Sequence, residues 1–224
     1  MMDTITFDFH SHILPGADHG ASDTAEAMTI LHTAFEAGIE TMAATPHFYP
    51  HRHRVDDFLK RRNAAYDRLR EHLDEKTPKI LLGVEVLICP GIDNMEGIEK
   101  LTLEGTNILL LELPFVVSEH TDELFETVER LVYDNGYTVF MAHANRYPTA
   151  SVERMASLGA KLQLNLEDIC SFGERSRVKH WLENGWVSAV GSDVHHDEKI
   201  FKKLKKSARI VSSSLEKINR PLES

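Results

Sequence analysis

Apolar residues along the chain follow two alternating rhythms. Short continuous runs, such as Ile108-Leu109-Leu110-Leu111, give way to segments in which apolar positions recur every three or four residues. The runs predict seven strands, at 5–9, 40–45, 79–86, 108–113, 137–142, 161–166 and 186–190. Helices are expected between them at 23–38, 54–75, 121–136, 152–159 and 175–185, with a last basic helix at 200–215. The second helix carries Val55, Phe58, Leu59, Tyr66, Leu69 and Leu73 on one face, and the third carries Leu124, Phe125, Val128, Leu131 and Val132. Such stripes bury one side of a helix. Asp23 with Glu26 three residues on predicts a capping box, and Gly38 a helix end.

Strands that are apolar throughout belong to parallel sheets covered on both faces. Strand–helix alternation with right-handed crossovers leads to a barrel or an open doubly wound sheet. No linker, low-complexity tract or fixed-period repeat interrupts the sequence, so residues 1–224 are expected to form a single domain.

Composition removes several alternatives. The chain is 42% hydrophobic and 27% charged, which excludes disordered and fibrous classes. No apolar run approaches the ~20 residues of a membrane span. The net charge of −10 argues against nucleic-acid binding through a basic face. Met1-Met2-Asp3-Thr4 lacks the basic and apolar regions of a secretory signal, and Cys89 and Cys170 form no paired motif. A reduced, cytoplasmic protein is the expectation. The 13 histidines are unusual.

Many of those histidines sit where strands end. The first strand is followed by Asp8-Phe9-His10-Ser11-His12 and then Asp18-His19-Gly20, and the second by Thr45-Pro46-His47. The third ends in Gly83-Val84-Glu85, the fourth in Glu112-Leu113-Pro114, the fifth in His143-Ala144-Asn145-Arg146-Tyr147, and the seventh in Ser192-Asp193-Val194-His195. In a β/α barrel these ends converge on one face. Residues two apart on a strand point the same way, so His10 and His12 can face one point, as can Asp193 and His195. Imidazole and carboxylate donors suit Zn, Fe, Mn and related divalent ions. At least eight such side chains exceed the needs of one ion, and two or three ions with bridging carboxylates account for them. A lone histidine is more often a structural residue, and His32, His72, His120 and His180 are assigned to helices or flanking loops. His51 and His53 are read as a solvated loop.

These motifs, in this order, resemble the PHP (polymerase and histidinol phosphatase) superfamily, and within it the CpsB-type manganese-dependent protein-tyrosine phosphatases of capsular and exopolysaccharide operons. The matching stretches run from Asp8 to His195. The resemblance implies a distorted (β/α)7 TIM-like barrel with three divalent metal ions. It implies that His10, His12, Glu85 and Asp193 hold the first ion and that Glu85 bridges to a second with Glu112 and His143. His47 and His195 would hold the third, and Arg146 the substrate phosphate. The family's usual Asp-Asp-Gly is Asp18-His19-Gly20 here, so either His19 binds through nitrogen, or Asp18 shifts in, or the third site is weakened. A second phosphate-binding arginine is replaced by Lys199 or Lys202, which offer no bidentate fork.

The expected chemistry is phosphomonoester hydrolysis. Three divalent ions bring +6 against −3 from Glu85, Glu112 and Asp193, so the pocket attracts a phosphate and supplies a metal-bridging hydroxide near neutral pH. Asp193 or His195 would assist the leaving group. The expected substrate is a phosphotyrosine protein, a bacterial tyrosine autokinase. The alternatives are a small phosphate ester such as histidinol phosphate or a nucleotide phosphate, and a non-catalytic metal-binding regulatory module.

Overall fold

All seven predicted strands occur in the structure, a computed structural model that describes residues 4–114 and 121–223. Two of them are broken, so nine segments occupy seven positions. The first is β1 (Phe7–Ser11), displaced toward the polar residues because His10 and Ser11 continue the ladder. The second divides into β2 (Thr41–Ala44) and β3 (His47–Phe48) around Thr45-Pro46, and the third into β4 (Lys79–Leu82) and β5 (Glu85–Leu87) around Gly83-Val84. Proline removes a ladder donor, which explains the first break. The remaining strands are β6 (Ile108–Glu112), β7 (Thr138–Met141), β8 (Lys161–Asn165) and β9 (Val187–Gly191).

All pairings are parallel. The breaks divide the ladder into a sheet of order β1-β2-β4 and one of order β3-β5-β6-β7-β8-β9. The two are not separate layers. Gly83 N donates to Ala44 O and Glu85 N to Pro46 O, which carries the pairing across the breaks. The ends of the series also meet: Asp193 N donates to His10 O at 2.8 Å, His12 N to Val194 O at 3.0 Å, and Ser192 N to the Asp8 carboxylate at 2.8 Å. Phe9 of β1 and Phe140 of β7, which are not neighbours in the ladder, touch with ring centroids 4.6 Å apart. They belong to one cluster with Ala43, Leu110 and Ala189 from further strands and with Ala142, which directly follows β7. This is the filled interior of a distorted, partly laddered ring, and small alanines make room for the two phenylalanines.

Helices cover the outside. The first, α1 (Thr24–Ala37), starts at Asp23, whose side chain accepts from Glu26 N, and ends at Gly38 in the left-handed conformation. Glu26 bonds Ser22 N rather than the N-cap's own amide, so the capping box is displaced by one residue. The second, α2 (Val55–Arg70), stops five residues short of the expected end, and beyond it the Asp74 side chain accepts from Lys76 N in a turn. Next come α3 (Thr121–Tyr133), α4 (Thr149–Ser157), the short α5 (Leu166–Ile169) and α6 (Arg175–Glu183). The expected last helix is four pieces: a 3-10 turn at Glu198–Lys203, α7 (Leu204–Ile210), a 3-10 turn at Ser212–Ser214, and α8 (Leu215–Asn219). Three consecutive serines are poor helix formers and interrupt it. Among the described residues no helix is long and apolar enough to cross a membrane.

Gly191 shows how tightly β9 approaches β1. A Cβ there would lie 2.6 Å from His10 Cβ and 2.8 Å from Gln163 Nε2. Gly191→Ala is therefore expected to cost about 1–3 kcal/mol. Urea unfolding of the metal-free protein measures it, and an unchanged midpoint would refute the close approach.

Candidate metal centre

The strand breaks build the centre. His47 opens β3 and Glu85 opens β5, and the two are register partners in the sheet. Leu87 pairs with Glu112 at the end of β6. Three acid or histidine side chains thus rise from adjacent strands at one end of the ring. The Glu85 carboxylate is fully enclosed and divides its oxygens. Oε1 lies 2.8 Å from His143 Nε2. Oε2 lies 3.3 Å from His10 Nε2, 3.4 Å from His12 Nε2 and 2.8 Å from His47 Nδ1. Asp193 Oδ1 completes the first of these sets, 3.7 Å from His10 Nε2 and 3.3 Å from His12 Nε2. On the other side Glu112 Oε1 lies 3.6 Å from His143 Nε2, and Glu112 Oε2 lies 3.8 Å from His47 Nδ1.

The donors converge without satisfying one another. Glu85 Oε2, His47 Nδ1, His143 Nδ1 and His195 Nε2 are buried with no hydrogen-bond partner among the described residues. His47 Nδ1 and Glu85 Oε2 are close, yet their orientation is not that of a hydrogen bond. Buried polar atoms are rarely left so, unless an ion is their partner. Among the described residues, three overlapping donor groups each have their ligand atoms within 4.8 Å of one another: His10, His12 and Glu85; His47, Glu85 and Glu112; and His12, His47 and His195. These residues fit divalent metal ions.

Asp18 and His19 take different parts. Asp18 Oδ2 accepts from His12 Nδ1 at 2.7 Å and from His47 N at 3.0 Å, and its Oδ1 accepts from Gly20 N at 2.9 Å. It orients two histidines. The His19 ring stacks on His47 at 4.7 Å and meets His195 at 4.5 Å. Gly20 lets the loop reach this position, since a Cβ there would lie 2.1 Å from His12 O. Two ligand candidates, His143 (φ 33) and Asp193 (φ 53), adopt left-handed backbone without being glycine. Such strain concentrates at functional sites.

Arg146 stands over the group, with Nη2 2.5 Å from Asp193 Oδ2. Lys199 and Lys202 are exposed on the 3-10 turn after β9. Of the histidines set aside, His32 pairs with exposed Asp74, His72 and His180 are at the surface, and His120 lies outside the described residues. His53 accepts from Tyr49 N through Nδ1, so it closes its loop rather than pointing freely to solvent. Sequence reasoning passed over β8, the one strand without an ionisable end. There Gln163 Oε1 accepts from His143 N at 2.7 Å, and Asn165 Nδ2 donates to Asp193 Oδ2 at 3.0 Å. Its signal was present as two amides alternating with leucines in Leu162-Gln163-Leu164-Asn165.

The metal-free charges are strongly coupled. Burial opposes the charged form of His12, but Asp18, Asp193 and Glu85 outweigh it and hold its pKa well above the usual value. Burial likewise opposes ionisation of Glu85, and the surrounding histidines reverse this and hold its pKa well below the carboxylate range. Glu112 is pushed up to about 7 by burial and by the neighbouring Glu85 charge. His195 is pushed down to about 4 by burial and by the charge on His12.

Comparison with known proteins extends the picture. Residues 6–220 match the family model of capsular polysaccharide synthesis, CpsB/CapC. The chain is 32% identical over 207 residues to the tyrosine-protein phosphatase YwqE of Bacillus subtilis (strain 168), covering 84% of this chain and 77% of that one. In fold it resembles a chain from the crystal structures of YwqE from Bacillus subtilis and CpsB from Streptococcus pneumoniae, described as unique metal-dependent tyrosine phosphatases. The TM-score is 0.70 and the identity 22%, over 96% of this chain and 94% of that one. The crystal structure of an uncharacterised protein matches with a TM-score of 0.51 at 10% identity, over 96% and 75%.

The titrations set a pH dependence. Stability from the raised His12 pKa is complete below about pH 6.5 and is lost as pH climbs through the raised value. Stability from the lowered Asp18 and Asp193 values is present above about pH 4 and is lost on acidification. Metal binding requires neutral imidazoles and so replaces the lost term at higher pH. The Tm difference between metal-loaded and metal-free protein is expected to widen from pH 6 to 8.5. Differential scanning fluorimetry measures it, and a constant or narrowing gap would refute a charged His12 in the metal-free state.

Proposed function

Because the chain belongs to the CpsB/CapC family of capsular polysaccharide synthesis, we propose that it is a metal-dependent phosphomonoester hydrolase whose substrate is phosphotyrosine. The observation that carries this reading is the sharing of Glu85 between two donor sets, one through each oxygen. His10, His12, Glu85 and Asp193 would hold one divalent ion. Glu85, Glu112 and His143 would hold a second, and His19, His47 and His195 a third. His19 is preferred to Asp18 because both Asp18 oxygens already accept hydrogen bonds. Mn, Fe or Zn bound there would polarise the phosphate and supply hydroxide near neutral pH.

The protein's own groups do the rest. Arg146 matches phosphate oxygens with a two-pronged donor. It can turn from Asp193 to a substrate without leaving that carboxylate unpaired, because Asn165 still donates to the same oxygen. Asp193 or His195 would assist the leaving group, and the His195 ring is oriented by its Nδ1 contact with Asp193 O. A phenolate leaves readily and asks little of them. Tyr49 stacks on His47 at 5.3 Å and gives the rim an aromatic wall suited to a phenyl ring. The substrate protein would be a tyrosine autokinase of the capsule system, and the enzyme would act in the cytoplasm.

Metal analysis and a phosphatase panel on one sample test the reading. Turnover of phosphotyrosine peptides with Mn²⁺ supplied is expected; activity only on small phosphate esters would move the assignment to a small-molecule phosphatase. Absence of turnover on any ester would leave a metal-binding module. Arg146→Ala should lower kcat/KM roughly ten- to hundred-fold with metal content retained, from the loss of a charged hydrogen bond. Glu85→Ala should lose two ions together, and loss of a single ion would remove Glu85 as a bridge. His19→Ala should lower the number of bound ions by one, whereas three tightly held ions would remove His19 from the ligand set.

A further inference from the structure

The amides of β8 form a chain whose direction is fixed at both ends. At one end His143 N is a backbone donor, so the Gln163 atom it meets at 2.7 Å is the carbonyl oxygen. The same oxygen lies 3.1 Å from His10 Nδ1. An oxygen cannot donate here, so His10 Nδ1 carries the proton and Nε2 is left with a free lone pair. That Nε2 is the atom facing His12, Glu85 and Asp193. Gln163 Nε2 then donates to Asn165 Oδ1 at 3.0 Å, and Asn165 Nδ2 to Asp193 Oδ2 at 3.0 Å. At this far end a carboxylate can only accept, which agrees with the direction set at the start.

We propose that Gln163 and Asn165 are positioning residues that lock His10 in the Nδ1–H tautomer and hold Asp193 by its outer oxygen, so that one neutral relay presets two ligands of the same metal ion. The inference rests on the metal-centre reading. Both amides are buried, and Gly191 provides the room for Gln163, since a Cβ there would lie 2.8 Å from its Nε2. The relay also reaches the second donor set, because the Gln163 oxygen anchors the strained His143 backbone. Partners of this kind set ring orientation and ligand basicity at metal sites. A neutral relay does so without adding charge to a centre already carrying Glu85, Glu112 and Asp193.

The test uses Zn²⁺ as probe on the whole chain. Long-range proton–nitrogen NMR of the zinc-loaded wild type should show His10 protonated at Nδ1 and coordinated through Nε2. Titration against a competing chelator should show Gln163→Met binding its tightest Zn²⁺ about ten- to hundred-fold more weakly. Gln163→Glu, which keeps the acceptor, should retain the His10 tautomer, and its loss there would overturn the role of the acceptor. Unchanged affinity in a folded Gln163→Met would overturn the relay. If that variant does not fold, the wild-type spectrum decides. Bound Zn²⁺ with the opposite tautomer overturns the relay alone, whereas a wild type that takes up no Zn²⁺ overturns the metal-centre reading and the relay with it.

Discussion

A carboxylate sealed from water and faced by four imidazoles governs this molecule. Glu85 would be costly in an apolar interior, and burial alone would push it toward its neutral form. The ring places His10, His12, His47 and His143 against its two oxygens and makes the charged form the stable one. The requirement reaches back into the backbone. Glu85 can lie beside His47 only because β2–β3 and β4–β5 break at the same level. Regular strands would run the apolar ladder straight through that level.

The histidines are in turn held from behind. Asp18 grips His12 and the amide of His47, Gln163 fixes His10, and the Asp193 carbonyl faces His195 Nδ1. Most donors therefore have one nitrogen or oxygen facing inward and the other engaged by protein. The loop carrying Asp18 can fold back over His12 because position 20 lacks a side chain. Placement of the donors is thus shared among the strands, the loop after β1 and the amides of β8.

Much of this was legible from residue types. Apolar runs located the strands, and the acids and histidines at their ends marked one face of the ring. Three features escaped for physical reasons. The strand breaks depend on pairing across the ring, and Thr45-Pro46 or Gly83-Val84 alone looks like a strand end or a flexible point. The last helix carries helical spacing through its serines, where local propensity overrules the pattern. Gln163 and Asn165 bear no charge, so a search for ionisable ligands passed over them, although amides inside an apolar strand signal a buried hydrogen-bonded task. The sequence leaves the choice between Asp18 and His19 open, because adjacent residues in a loop can each point either way.

The left-handed backbone at His143 and Asp193 carries a tension between folding and chemistry. Each conformation costs on the order of 1–3 kcal/mol for a residue with a side chain, and glycine would adopt it freely. Glycine would also delete the donor. The residues that fold most comfortably at these two positions are therefore not the ones that build the centre. Selection for thermal robustness alone would drift toward inactive sequences here, and a stabilised variant of this protein has to find its gains elsewhere in the ring.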